Sequence, residues 1–301
     1  MALGSLLMDT YRQNIKFVSL LLKLNALKIL ACQITIPAIT SPAQRDDHVK
    51  RIAAQISKHV AEAGGVDLVV LPELSTIKYS KAAFENLEEL AEDINGPSFE
   101  TLAEIARNSK TYICFGMPRR DDDGTFRISQ IVMDARGNLV GYYDKMHIAQ
   151  FGESIEKPYF KPGRHLFVFD VAGVRTAPII CYDHRFPELT RTLALKHGVD
   201  LLLHPVAFYR DSTFASWHQF AVTRAIENQV HLLSLNQAGK NYGASIFVPP
   251  WIEDWKQPLI FGDKESYRLL DVDSTHTAKV RETYPYRDDQ VDDYANLPLL
   301  P

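Results

Sequence analysis

The chain has 301 residues, 46% hydrophobic and 23% charged, with 33 Lys and Arg against 37 Asp and Glu and a formal net charge of -4. That balance suits a folded chain with a sizeable core, arranged as one large or two small domains, and it removes any electrostatic case for nucleic-acid binding. Three cysteines without close spacing, Cys32, Cys114 and Cys181, exclude a disulfide framework or a zinc site and fit a reducing, cytoplasmic setting.

In chain order, residues 1–26 read as an N-terminal extension, either a short helix or partly disordered. Its apolar run from Phe17 to Leu24 is broken by Lys23, precedes no small-residue cleavage site and is too short to span a bilayer, so no membrane partner is expected. A strand is predicted over Leu27 to Thr35. A helix follows from Asp46 to Ala63, with Val49, Ile52, Ile56 and Val60 at helical spacing and Gly64-Gly65 closing it. Next come a short strand at Asp67 to Leu71, a helix at Phe99 to Ser109 and a strand at Tyr112 to Met117. Arg127 to Asp134 and Leu139 to Asp144 flank Ala135-Arg136-Gly137-Asn138 and read as a hairpin. Val168 to Val171 and Val174 to Ile180 form a strand pair around Gly173. Helix Glu188 to His197, strand Asp200 to His204, helix Phe214 to Asn228 and strands at His231 to Leu235, Ser245 to Val248 and Tyr267 to Val272 complete the pattern. Alternating strands and helices with interspersed hairpins predict an α/β layered domain with mixed sheets. No linker divides it. From Asp273 onward the chain is polar, and residues 273–301 read as a tail that lies in solvent or packs on a neighbouring subunit.

Three strand exits carry chemistry. Asp67-Leu68-Val69-Val70-Leu71-Pro72-Glu73 leaves its strand on a carboxylate, Tyr142-Tyr143-Asp144-Lys145-Met146-His147 on an ammonium, and Pro178-Ile179-Ile180-Cys181-Tyr182-Asp183 on a thiol. An acid to take a proton, a thiolate to attack and a cation to hold charge on oxygen are the parts of nucleophilic attack on a carbonyl-type carbon. Singly, each has a bland reading: a small buried hydrophobe for Cys181, a helix N-terminal acid for Glu73, a solvated side chain for Lys145. The combination reverses those odds. Cys32 and Cys114 keep the bland reading.

Together the three motifs, with Arg224-Ala225-Ile226-Glu227-Asn228-Gln229-Val230, resemble the nitrilase superfamily of carbon–nitrogen hydrolases from about Leu27 to about Asp273. The resemblance implies a four-layer α-β-β-α sandwich with two mixed sheets for residues 27–272, usually paired into a homodimer or a larger even-numbered oligomer. It also implies a Glu73–Lys145–Cys181 triad with no metal and no cofactor. A second glutamate would brace the lysine. Glu153 and Glu156 are the two possibilities, and Glu156 is preferred because it precedes Pro162-Gly163 in the family manner. Tyr182 would add its backbone N–H to the oxyanion site.

The segment Cys181-Tyr182-Asp183 with Arg185-Phe186-Pro187-Glu188-Leu189 is similar to the omega-amidase and deaminated-glutathione-amidase branches, with carbamoylases as the near alternative. The expected substrate is a small-molecule amide or carbamoyl compound. A relative that kept the fold and lost turnover is the alternative of a different class. A Rossmann-type cofactor enzyme fails for want of a G-x-G-x-x-G after the first strand. Five further residues are candidates for the substrate pocket. His147 lines it or makes a structural hydrogen bond. Arg185 binds a substrate carboxylate or pairs with Glu188 or Asp183, the pairing being slightly favoured. Phe208, Tyr209 and Trp217 shape specificity or are ordinary core. Arg224, Glu227 and Asn228 read as scaffold.

Overall fold

The computed structural model describes residues 26–285, 287–291 and 293–300; nearly all of the 1–26 extension therefore lies outside the described residues. Two six-stranded mixed sheets form the centre. The first contains β1 (Ala26–Gln33), β2 (Leu68–Val70), β3 (Tyr112–Arg120), β4 (Phe126–Met133), β5 (Leu139–Asp144) and β12 (Ser266–Asp273), ordered β12-β1-β2-β3-β4-β5. The second contains β6 (Phe169–Val171), β7 (Val174–Pro178), β8 (Leu201–Pro205), β9 (His231–Leu235), β10 (Ile246–Val248) and β11 (Leu259–Ile260), ordered β11-β10-β9-β8-β7-β6. The central strands of each, β1-β2-β3 and β7-β8-β9, are parallel. Hairpins and the returning β12 add the antiparallel pairs.

Strand alternation builds the layers, because successive side chains face opposite sides of a sheet. In β1, Leu27, Ile29 and Ala31 face the second sheet and join Leu201, Leu203, Leu233 and Leu235 in the central core. Leu30 and Cys32 face outward, onto Val49, Ile52 and Ile56 of α1 (Pro42–Glu62) and Phe99 and Leu102 of α4 (Pro97–Ser109). Across the molecule Leu202 and Leu232 pack on Leu189 and Leu193 of α5 (Pro187–Lys196) and Ala221 and Ala225 of α6 (Phe214–Asn228). This is the expected α-β-β-α sandwich. Strands covered on both faces read as continuous apolar runs, which is why β1, β2 and β8 were legible.

The sequence expectations omit two short helices, α2 (Lys81–Phe84) and α3 (Leu87–Leu90), the two-residue β11, and α7 (Ser274–Thr283). The last changes the picture of the tail's start. Asp273 caps α7 through the N–H groups of Thr275 and His276, Thr277 and Val280 are buried, and Arg281 pairs with Asp200 at 2.6 Å. Residues 274–283 therefore close the domain they belong to. Their apolar stripe is too thin, with threonines at 275, 277 and 283, to signal a helix.

One close approach bears on function. A Cβ on Gly116 of β3 would sit 2.5 Å from the carbonyl oxygen of Pro72 and 2.6 Å from the nitrogen of Leu74, the peptides flanking Glu73. Gly116→Ala is expected to destabilise the fold by about 1–3 kcal/mol through overpacking. It should lower turnover further by shifting Glu73. Thermal melting beside a rate measurement checks both.

Candidate active site

The exits of β2, β5, β7 and β8 meet at one end of the sandwich, the crevice beyond the carboxyl ends of parallel strands where α/β proteins bind ligands. Two residues here hold left-handed backbone without being glycine: Leu74, after Glu73, at φ 49°, and Cys181 at φ 44°. Such conformations cost about 1–3 kcal/mol each and collect at functional sites.

Lys145 lies between two carboxylates. Its Nζ donates to Glu73 Oε1 at 2.8 Å and to Glu156 Oε1 at 2.6 Å, and all three side chains are 0–1% exposed. Burial alone would lower the lysine's pKa. The charges of Glu156 and Glu73 outweigh it and hold the ammonium well above its ordinary range. Glu156 also accepts from Tyr79 Oη at 2.9 Å and, through Oε2, from the Ala149 N–H at 2.8 Å. Of the two possible bracing acids, Glu156 is thus the one on the lysine. Glu153 lies exposed on the cavity rim.

The second oxygen of Glu73 accepts the Ala207 N–H at 2.8 Å. Burial pushes Glu73 up to about 7; Lys145 opposes that rise and Glu156 adds to it. Cys181 is half-buried and faces the cavity. Burial, then Glu73, raises its thiol well above the usual range, while Lys145 and the Ala207 N–H act the other way. Ala207 lines the same cavity as Cys181 and gives its N–H to Glu73, which sets the carboxylate and the thiol at one place in the fold. A neutral thiol beside a buried carboxylate poised near neutrality is a nucleophile waiting for a base.

The cavity above them has a volume of about 290 Å³, room for roughly ten waters at liquid density. Tyr182, Arg185, Phe208 and Tyr209 line it, with Tyr79 and Tyr242. Asn236 shapes its wall by accepting the Phe208 N–H at 2.9 Å and donating to the Phe208 carbonyl at 3.0 Å. Arg185 makes neither expected ion pair. Its guanidinium lies 4.9 Å from the Phe220 ring centre and 5.9 Å from that of Phe151, and one buried Nη has no hydrogen-bond partner.

Two candidates lie off the cavity. His147 pairs with Asp183 at 2.7 Å and stacks on Phe186 at 3.5 Å. β5 ends at Asp144, so the two-residue alternation that would place His147 beside Lys145 no longer applies. Trp217 is fully buried behind Phe208, its ring centre 5.2 Å away. Arg224 bonds the His184 carbonyl at 2.8 Å and Glu227 at 2.8 Å, as scaffold.

Tyr79, the Ala207 N–H, Asp183, His184 and His204 were not singled out from sequence. Ala207 contributes only backbone, which carries no residue signal. Among the described residues no cluster of His, Cys, Asp and Glu could hold a metal, and no helix is long and apolar enough to cross a membrane.

Comparison with known proteins identifies the family and the fold. The sequence profile of the family described as Carbon-nitrogen hydrolase matches residues 28–279. The omega-amidase NIT2-B of Xenopus laevis is 30% identical over 260 residues, 83% of this chain and 91% of that protein. The omega-amidase NIT2 of Homo sapiens is 30% identical over 263 residues, 83% and 92%. Among solved structures, Saccharomyces cerevisiae Nit3, a member of branch 10 of the nitrilase superfamily, superposes with a TM-score of 0.76 at 23% identity, covering 91% of this chain and 97% of its own. An amidase from Nesterenkonia, solved with acrylamide, gives 0.66 at 23% identity, covering 88% and 98%.

Proposed function

Because the chain belongs to the carbon–nitrogen hydrolase family, within the nitrilase superfamily, we propose that it is an amidase that cleaves a small linear amide through a thioester on Cys181. The observation that carries this reading is the Glu73–Lys145–Glu156 cluster set against Cys181 at the floor of one small cavity. The thiol proton passes to Glu73 as sulfur attacks the carbonyl carbon. Lys145 spends two of its three N–H donors on the carboxylates, leaving a third for the oxyanion beside the Tyr182 N–H. Glu73 then protonates the departing nitrogen, the C–N bond breaks and ammonia leaves. A water gives its proton to Glu73 and attacks the thioester. The C–S bond breaks, the acid departs, and the thiol recovers its proton.

Arg185 supports a substrate that ends in a carboxylate, since its unpaired, partly desolvated guanidinium faces the cavity. The omega-amidase relatives point the same way. An N-carbamoyl amino acid also carries a carboxylate and is the second reading. As part of the proposal, the enzyme works as a homodimer in a reducing cytoplasm, where its cysteines stay free.

The test is a panel of short linear amides, with and without a terminal carboxylate, and of N-carbamoyl amino acids, with ammonia and carbon dioxide both measured. Ammonia should appear with one equivalent of acid and no carbon dioxide, faster for acid-ended amides. Since the base must be ionised and Glu73 is raised to about 7, kcat/KM should climb with pH through a limb near neutrality. Equimolar carbon dioxide would favour the carbamoyl reading, and no ammonia from any amide or carbamoyl compound would end both.

A further inference from the structure

The strained turn at Cys181 is held by side chains outside the cluster that acts on the thiol. Asp183 Oδ2 accepts the Ile180 N–H at 3.0 Å and the Tyr143 hydroxyl at 2.8 Å. Two imidazoles meet on the carbonyl oxygen of Cys181 itself: His184 Nδ1 at 2.7 Å and His204 Nε2 at 2.8 Å. Both are fully buried, with ring centres 4.4 Å apart.

Proton positions follow from the partners. The indole N–H of Trp217 can only donate, and it donates to Ser234 Oγ at 2.9 Å. Ser234 is then free to give its own proton to His204 Nδ1, 2.8 Å away. That fills the Nδ1 lone pair and puts the ring proton on Nε2, facing the Cys181 carbonyl. His184 must carry its proton on Nδ1, because the carbonyl oxygen it faces can only accept, and its buried Nε2 has no partner. Burial holds both rings neutral, with His204 lowered to about 4 and His184 well below its ordinary value.

The Cys181 carbonyl and the Tyr182 N–H are opposite ends of one planar trans peptide. Gripping the oxygen aims the N–H the other way. Tyr182 sits in the first turn of the 3-10 helix Cys181–Arg185, where backbone N–H groups lack intrahelical acceptors. Donors on the carbonyl also polarise the amide, strengthening its N–H by about 10–30% per bond.

We propose that His204 and His184 are positioning residues of the oxyanion site: neutral imidazoles that grip the Cys181 carbonyl and so aim and sharpen the Tyr182 N–H, with Trp217 and Ser234 fixing the His204 tautomer. The inference rests on the amidase reading above. It assigns work to two histidines and a buried tryptophan that an ordinary polar core would leave idle.

The test separates attack by sulfur from stabilisation of oxygen. Alkylation of Cys181 by iodoacetamide forms no oxyanion, whereas amide turnover does. His204→Leu removes one grip. It should lower kcat about 10- to 100-fold, less than the loss of a direct oxyanion donor, with KM and the alkylation rate both within about threefold of wild type. His204→Gln, which can place an amide N–H near the lost Nε2–H, should recover most of kcat. An unchanged kcat in His204→Leu, or alkylation falling in step with kcat, would overturn the proposal. Ser234→Ala keeps the imidazole and removes only the hydroxyl, so it decides the matter if His204→Leu does not fold. A kcat drop of about tenfold at constant alkylation supports the proposal, and no drop refutes it. Wild-type turnover is measured first, because its absence would sink the amidase reading and not this one alone.

Discussion

Cys181→Ala is expected to lower kcat/KM for the best amide by about 10⁴-fold or more, the scale seen when the nucleophile of a concerted catalytic set is removed. Ammonia release is the readout. The fold should survive, because the substitution removes one sulfur from a half-buried side chain facing a cavity. The cost is on the order of 1 kcal/mol. The left-handed backbone at this position stays gripped from Ile180 and from the Cys181 carbonyl. A large rate loss with a nearly unchanged melting temperature separates chemistry from stability. Turnover retained in this variant would remove the thioester from the reaction.

Lys145→Ala is expected to do the opposite, damaging both. It leaves two carboxylates, Glu73 and Glu156, at 0–1% exposure without their shared cation. Breaking a buried pair typically costs about 3–5 kcal/mol because the partner charge stays behind. The sign with pH follows. Burial already raises Glu73, and Lys145 is what opposes the rise. Without the lysine the folded-state pKa climbs further above the unfolded value. The variant is then most stable below the unfolded carboxyl pKa, where Glu73 is neutral, and loses stability as pH rises through the folded value. Its melting deficit against wild type should therefore be smaller near pH 5 than near pH 8. A deficit independent of pH would mean that Lys145 contributes packing alone.

Much of this site was legible because its parts stand at strand exits. Val69-Val70-Leu71 before Glu73 and Ala177-Pro178-Ile179-Ile180 before Cys181 are buried on both faces, so an apolar run ending on a polar residue marks where the chain surfaces at the crevice. Glu156 was legible through the resemblance and not through its own surroundings. The remaining contributions are long-range or carried by backbone. Tyr79 reaches Glu156 across 77 positions, and the Ala207 N–H reaches Glu73 across 134. His184 and His204 meet only because β7 and β8 are adjacent and parallel. Of the two readings open to Trp217 the structure takes the core one: the ring lies behind Phe208 and its indole N–H serves Ser234. His147 takes its other reading, a structural hydrogen bond to Asp183, since the strand that would have aligned it with Lys145 ends three residues earlier.

The most direct test of the convergence of Glu73, Lys145 and Cys181 uses the unmodified sequence. The protein is treated with iodoacetamide near neutral pH, the alkylated cysteine is located by peptide mass, and residual ammonia release is followed in the same sample. One equivalent should fall on Cys181, with activity lost in proportion and substrate giving protection. Cys32 and Cys114 should stay unlabelled, because both are fully buried in the core, whereas Cys181 opens onto the cavity. A sample fully alkylated at Cys181 that still releases ammonia at the original rate would contradict the account.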